Sequence, residues 1–292
     1  MIVPGSANPL LLGSGDYTIA RSLRFRSSAS AYLSRTPVSA GNGQKFTISV
    51  WNKLGSIIGS ADQTGLQAYS GSANTDSTLF LFYINGGGSG AASSTIGVGG
   101  VSWGVGTTAV YRDPSAWYHI VISVDTTQAT AANRVLIYVN GVLQSITSPT
   151  YPTQNLVTPV NQSGATHNIG RRGTFADRYF DGYLAEVNFI DGQALTPSSF
   201  GQTDAITGVW VPKKYAGTYG TNGFYLPFSD NTSATTLAYD KSGNGNNWTA
   251  NNISTTAGLT YDSMTDVPTL TSATAANYCV LNPLKNENTT IS

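Results

Sequence analysis

The chain has 292 residues with 15 basic and 15 acidic side chains, so it has no surplus of Lys and Arg with which to line a nucleic-acid groove. Charged residues make up only 10% of it, against about 25% in ordinary soluble domains; solubility rests on Ser, Thr, Asn and Gly, a surface suited to a subunit held in a larger assembly. One cysteine, Cys279, excludes an intrachain disulfide and a cysteine-based zinc cage, and 32 glycines with 12 prolines exclude long helices.

Residues 1–16 carry prolines and glycines among few apolar residues and read as an extended arm that either docks on a neighbour or frays. MIVPGSANPLLLG has no basic n-region and only the short apolar run Leu10 to Leu12, so neither a signal peptide nor membrane insertion is expected. SLRFR, AYLSR and FTISVW then alternate polar and apolar residues with the period of two that a strand needs. LFLFYI at 79–84 is an apolar run of buried-strand length, and the following INGGGSGAASSTIGVGG reads as a flexible loop. It is no phosphate cradle, because no helix pattern follows to supply the N-terminus that such a loop requires.

Residues 117–143 give the clearest pattern. Tyr118, Ile120, Ile122 and Val124 alternate with His119, Val121, Ser123 and Asp125; Val135, Ile137 and Val139 repeat the pattern; Asn140-Gly141 then predicts a tight turn into Val142 and Leu143. This is a β-meander. Pro149, Pro152 and Pro159 mark an irregular excursion before HNIG at His167.

RRGTFADRYFDG comes next and concentrates charge and aromatic rings in a chain poor in charge. Arg171, Arg172, Phe175, Asp177, Arg178 and Tyr179 are the candidate ligand-binding residues, since loops on a rigid sandwich commonly carry recognition. The alternative is internal pairing, with Asp177 or Asp181 holding an arginine and the aromatics buried. After Phe200 the pattern loosens to GFYLPF, a strand with Pro227 at an edge or bulge, and DKSGNGNNW, a turn.

In order and spacing, SLRF, SAYLSRTP, FTISVW, WYHIVISVD, VLIYVNGVL, HNIG and FDGYLAEVNFIDGQALT resemble the laminin-G-like branch of the concanavalin A-like lectin/glucanase superfamily. VWVPKKYAGTYGTNGFYLPFSD is similar to a tract that accompanies this sandwich in virion proteins of tailed bacteriophages. The resemblance covers roughly residues 17–266. Alternation by itself supports an all-β sandwich or barrel; the resemblance implies an antiparallel β-sandwich of the jelly-roll kind with extended terminal arms. The implied division is a docking arm at 1–16, the sandwich at 17–200, a β-rich extension at 201–262 that packs on the sandwich or follows it, and a linker at 263–292 leading to a further module.

The same resemblance implies a structural virion protein, in a fibre, tail appendage or capsid decoration, localised to the virion. Its partners would be other virion proteins and host-surface polysaccharide, and it would form a homo-oligomer, with a trimer favoured. An architectural subunit that binds no glycan is the competing class, and a glucanase-like hydrolase the third. Glucanases of the superfamily carry E-x-D-x-x-E along one strand; here the corresponding run is Glu186-Val187-Asn188-Phe189-Ile190-Asp191, which has lost its middle acid and ends on a shorter one. No enzyme is therefore expected. His119 and His167 stand alone in sequence, without a nucleophile elbow or cysteine beside them, and are expected to be buried and hydrogen bonded. No cofactor is required. Calcium, which many laminin-G-like domains hold at a loop rim, would draw on Asp177, Asp181 and Asp191, short of the six to eight oxygens it takes unless backbone joins in.

Overall fold

The computed structural model of the chain describes residues 17–55, 62–70, 77–84 (backbone only) and 94–269. The expected arm at 1–16, residues 85–93 of the glycine-rich stretch, and the tail from 270, including Cys279, lie outside the described residues. Seventeen strands follow in order: β1 (Ser22–Phe25), β2 (Tyr32–Arg35), β3 (Lys45–Leu54), β4 (Gln63–Tyr69), β5 (Ser77–Ile84), β6 (Thr95–Gly100), β7 (Gly104–Gly106), β8 (Tyr118–Asp125), β9 (Val135–Val139), β10 (Val142–Leu143), β11 (Thr166–Ile169), β12 (Gly182–Asp191), β13 (Gly201–Thr203), β14 (Trp210–Pro212), β15 (Phe224–Leu226), β16 (Thr249–Asn251) and β17 (Ser263–Met264). One α-helical turn, α1 (Ala234–Leu237), lies between β15 and β16 and is capped by Ser233. Among the described residues no helix is long and apolar enough to cross a membrane.

Fifteen of these strands form a front sheet, in the order β10-β9-β8-β3-β12-β1-β17 with β15 also on β12, and a back sheet, β16-β2-β11-β4-β5-β6-β7, while β13 and β14 pair as a separate ribbon. All their pairings are antiparallel. Alternation becomes packing: Phe46, Ile48 and Val50 of β3, Ile120, Ile122 and Val124 of β8 and Val135, Ile137 and Val139 of β9 meet Leu33, Leu66, Ile96, Val98 and Ile169 of the back sheet in one core. The meander lies as the sequence predicts. Asn140 (φ 47°) and Gly141 (φ 81°) make its turn, in the conformation Asn-Gly adopts at least cost. A Cβ on Gly141 would stand 2.6 Å from the Trp210 ring, so the same glycine admits a residue of β14.

Two expectations are corrected and one open alternative is decided. The glycine-rich stretch is not loop throughout: Thr95–Gly100 forms β6, because Ile96 and Val98 are buried between the sheets. The extension at 201–262, expected either to pack on the sandwich or to follow it, packs on it: β15 joins the front sheet beside β12 and β16 edges the back sheet beside β2. Of the two alternatives, it closes the sheets. The linker does not begin at 263, because β17 pairs with β1, Val267 packs with Ile19 and Trp51, and Thr269 Oγ1 accepts from the Ile19 N–H at 3.0 Å.

The outer face of the front sheet is covered. Trp51 and Ala185 pack beneath Ile19 and Val267, and Val121 and Ile190 beneath Phe200. His119 lies between two indoles, 4.8 Å from Trp51 and 6.0 Å from Trp210, both near-parallel.

Candidate functional site

The loop at 171–179 lies over the back sheet. Gln67 Oε1 of β4 accepts from the Gly173 N–H at 2.5 Å, and the Arg171 guanidinium sits 3.4 Å from the centroid of the Tyr32 ring on β2. Arg172 and Asp177 exchange backbone hydrogen bonds across the turn, and their side chains form an ion pair. Arg172 also lies 4.3 Å over the Phe175 ring, and Arg178 pairs with Asp62 at 2.6 Å. The six predicted residues thus share one loop over the back sheet, with the arginines engaged by Asp177, Asp62 and the rings of Tyr32 and Phe175. Phe175, 47% exposed, is its free face, and Tyr179 is partly exposed.

The acidic run of β12 does not converge on one cleft. Asp191 accepts from the Asn42 N–H at 2.7 Å, from Asn161 Nδ2 at 3.1 Å and from the Asn222 N–H at 2.9 Å. Asp181 accepts from the Ser27 N–H, and Asp177 holds Arg172, so the three aspartates weighed for calcium are each engaged with a different partner. Among the described residues no three His, Cys, Asp or Glu side chains gather as a metal-binding group. Both histidines are buried and bonded: His119 Nδ1 accepts from Trp210 Nε1 at 2.9 Å, and His167 Nε2 accepts from the Asn161 N–H at 3.1 Å. Burial lowers His119 to about 3 and His167 to about 4.

Glu186 is different. The register of β12 against β3 slips between Ala185 and Asn188, and on its other edge β12 exchanges β1 for β15 at the same place. Glu186 occupies the bulge with φ 52°, a conformation that costs a residue bearing a Cβ about 1–2 kcal/mol. The slip lets Leu184 and Val187 both face the core, while Glu186 turns outward beneath Tyr17 and Tyr225. Tyr17 donates to Oε2 at 2.9 Å, Tyr225 donates to Oε1 at 2.8 Å, and the two hydroxyls are 2.6 Å apart. Burial raises this carboxyl to about 7, and it raises the Tyr17 and Tyr225 hydroxyls as well.

Around it runs a cleft of about 490 Å³ lined by Tyr17, Tyr215, Tyr219, Tyr225, Lys214 and Lys241. The rings form a ladder: Phe200 on Tyr215 at 5.1 Å, Tyr215 edge-on to Tyr219 at 5.1 Å, and Tyr219 on Tyr225 at 6.4 Å. Tyr219 donates to Asn188 Oδ1 at 2.9 Å, tying the ladder to β12. The turn at DKSGNGNNW holds one wall. Asp240 accepts from the Tyr225, Ser242 and Asn246 N–H groups and so fixes Lys241 at the mouth. A strained residue with a desolvated carboxyl inside a cleft is a combination typical of functional sites.

Sequence reasoning weighed Glu186 only as part of a catalytic motif and missed this cleft. One signal was present: in GYLAEVNF, Leu184 and Val187 are three apart while Val187 and Phe189 are two apart, a break in period that marks a bulge. The tyrosines come from residues 17 to 225, a separation that local periodicity does not reach.

A family model described as Concanavalin A-like lectin/glucanases superfamily, of the laminin-G kind, matches residues 26–200, more than half of the chain. The chain belongs to that superfamily. Its solved relatives include a candidate carbohydrate-binding protein from Bacteroides ovatus, 17% identical, with a TM-score of 0.53 over 82% of this chain and 60% of that one. Others are the CBM40 of the Ruminococcus gnavus IT-sialidase bound to alpha2,3 sialyllactose (12% identity, TM-score 0.38, 56% of this chain and 85% of that) and domains LG4-5 of the mouse laminin alpha1 chain (9%, 0.39, 68% and 47%). At these identities the likeness is one of fold, and the chain spans under two thirds of the Bacteroides protein. No curated protein matches.

Proposed function

We propose that this chain is a non-enzymatic structural protein of a tailed-phage virion, in a fibre, tail appendage or capsid decoration, whose lectin-like sandwich binds host-surface polysaccharide. The observation that carries the glycan reading is the tyrosine-walled cleft beside β12, where four aromatic rings, two lysines and a carboxyl are held on a rigid sheet. Sugars present apolar ring faces and many hydroxyls, and a few such contacts bind them weakly. A homo-oligomer, a trimer foremost, multiplies that weak affinity by presenting several clefts at once. The virion setting rests on VWVPKKYAGTYGTNGFYLPFSD and its likeness to phage virion tracts. Other virion proteins are the remaining partners; nucleic acid and membrane insertion form no part of the reading.

The non-enzymatic reading is supported by two positions: Glu186 is closed over by Tyr17 and Tyr225, and Asp191 is consumed by three donors. A retaining or inverting pair needs two carboxyls facing one bond. No cofactor is included; calorimetric binding of calcium in the micromolar range would add one.

An architectural subunit without glycan binding is the second reading. It is favoured by the front-sheet edge, where Val142 and Leu143 are 63% and 54% exposed. A glycan array probed with the assembled oligomer separates the two: bound glycans are expected, and an empty array would leave the architectural subunit. Release of reducing ends from host polysaccharide would overturn both. Immunogold labelling of intact particles tests the virion assignment.

A further inference from the structure

The hydrogen bonds at Glu186 carry a proton count. Four oxygen–oxygen contacts join Glu186, Tyr17 and Tyr225, since the Tyr225 hydroxyl reaches both carboxyl oxygens, at 2.8 and 2.9 Å. The two hydroxyls supply two protons for these contacts, and an un-ionised carboxyl adds a third. Hydroxyls donating to the carboxyl favour its ionised form, but Glu186 is only 6% exposed, and that burial outweighs them in favour of the neutral acid.

That fixes the charge of the cleft. The groups facing it are Tyr17 from the N-terminal segment, Lys214, Tyr215 and Tyr219 from the segment after β14, Tyr225 from β15, and Lys241 from the turn whose Asp240 carboxylate is spent on backbone donors. With Glu186 neutral, two lysines outweigh one aspartate; with it ionised, the charges cancel.

We propose that the cleft takes an acidic saccharide, its carboxylate held by Lys214 and Lys241 and its ring against the tyrosine wall. This rests on the glycan-binding reading and names its ligand class. The proton on Glu186 sets the affinity: an anionic sugar binds best while Glu186 is neutral, and affinity falls as pH rises through about 7, where the carboxyl ionises and adds a second negative charge. An aminated ligand would show the opposite trend.

The test is calorimetry of the full chain with trimers of galacturonate, glucuronate and mannuronate, and with their neutral methyl esters, at pH 6 and pH 8. At pH 6 at least one acid is expected to bind about three- to tenfold tighter than its ester, the range that an exposed ion pair supplies. The exposed Lys214→Gln, Lys241→Gln double variant abolishes that preference, and Glu186→Gln removes the loss of affinity between pH 6 and pH 8. Equal binding of acid and ester, or a preference that survives the double variant, overturns the proposal while leaving glycan binding intact. Binding of neither, together with an empty glycan array, removes the glycan reading as well.

Discussion

On the back of the sandwich, residues 171–179 fold onto the sheet that β11 has just left, whereas the front is covered by segments drawn from both ends of the chain. The back cover is one short loop in which each arginine is met: Arg172 by Asp177 of the loop itself, Arg178 by Asp62 and Arg171 by Tyr32 of the sheet beneath. The front cover is nonlocal. Ile19, Trp210, Tyr225 and Val267 meet there over β3, β8 and β12, and they bury an imidazole and a carboxyl whose hydrogen bonds come from neutral groups. A surface of paired, half-exposed charges contributes little energy and adapts easily. A buried polar face held by neutral hydrogen bonds is rigid, and it is sensitive to any group removed from it.

The contrast is broken most severely at Trp210. Its indole lies in the pocket left by Gly141 and Gly201, stacks on His119 and donates to that imidazole at Nδ1. Trp210→Ala opens a cavity and leaves a buried acceptor unpaired, a loss of about 3 kcal/mol in urea unfolding. A loss below about 1 kcal/mol would show that the front cover is as loosely held as the back.

The next effect is a slope. Glu186 is raised from 4.5 to about 7, so the folded chain keeps a proton that the unfolded chain releases; that contribution to stability is complete below pH 4.5 and disappears as pH rises through 7. The histidines have the opposite sign. Lowered from 6.5 to about 3 and about 4, they contribute stability that is present above pH 6.5 and lost as pH falls. Near pH 5.5 the unfolded chain has taken up about two protons on histidine while the folded chain holds about one on Glu186, a net slope of about 1.4 kcal/mol per pH unit. Glu186→Gln removes the compensating proton, and the slope approaches about 2.7 kcal/mol per unit. Unfolding free energies measured from pH 5 to pH 6 check this, and an unaltered slope would place the carboxyl near its ordinary value.

The same division explains what was legible in the sequence. The inner faces were, because Ile120, Ile122 and Val124, or Phe46, Ile48 and Val50, state their direction within five residues and the core accepts whatever apolar side chains that period delivers. The Asn140-Gly141 turn was legible for a local reason too. The back loop could be located by its charge, but whether Arg172 faces solvent or Asp177 depends on turn geometry, with Ala176 and Arg178 at φ 51°. The front cover was the least legible. β17 pairs with β1 across most of the chain, and Tyr17 reaches Glu186 across 169 residues, so no window of sequence contains both partners. Hydroxyls and an amide carry that surface, and their pattern has no period to detect.

The smallest effect tests the back loop. Arg172 donates from Nε to Asp177 Oδ1 at 2.7 Å, a forked contact of good geometry, yet the Asp177 side chain is 45% exposed and water competes for it. Arg172→Ala should therefore cost less than about 1 kcal/mol, with the backbone bonds between 172 and 177 retained. A double-mutant cycle with Asp177→Ala isolates the pair, and a coupling above about 1.5 kcal/mol would mean that the loop is braced as firmly as the front cover. Acid-sugar binding supplies the second axis: the loop variant should leave it unchanged, because the loop and the cleft lie on opposite sheets. If Arg172→Ala weakens glycan binding while stability holds, the patch around Phe175 is itself a contact surface, and the two faces share the work.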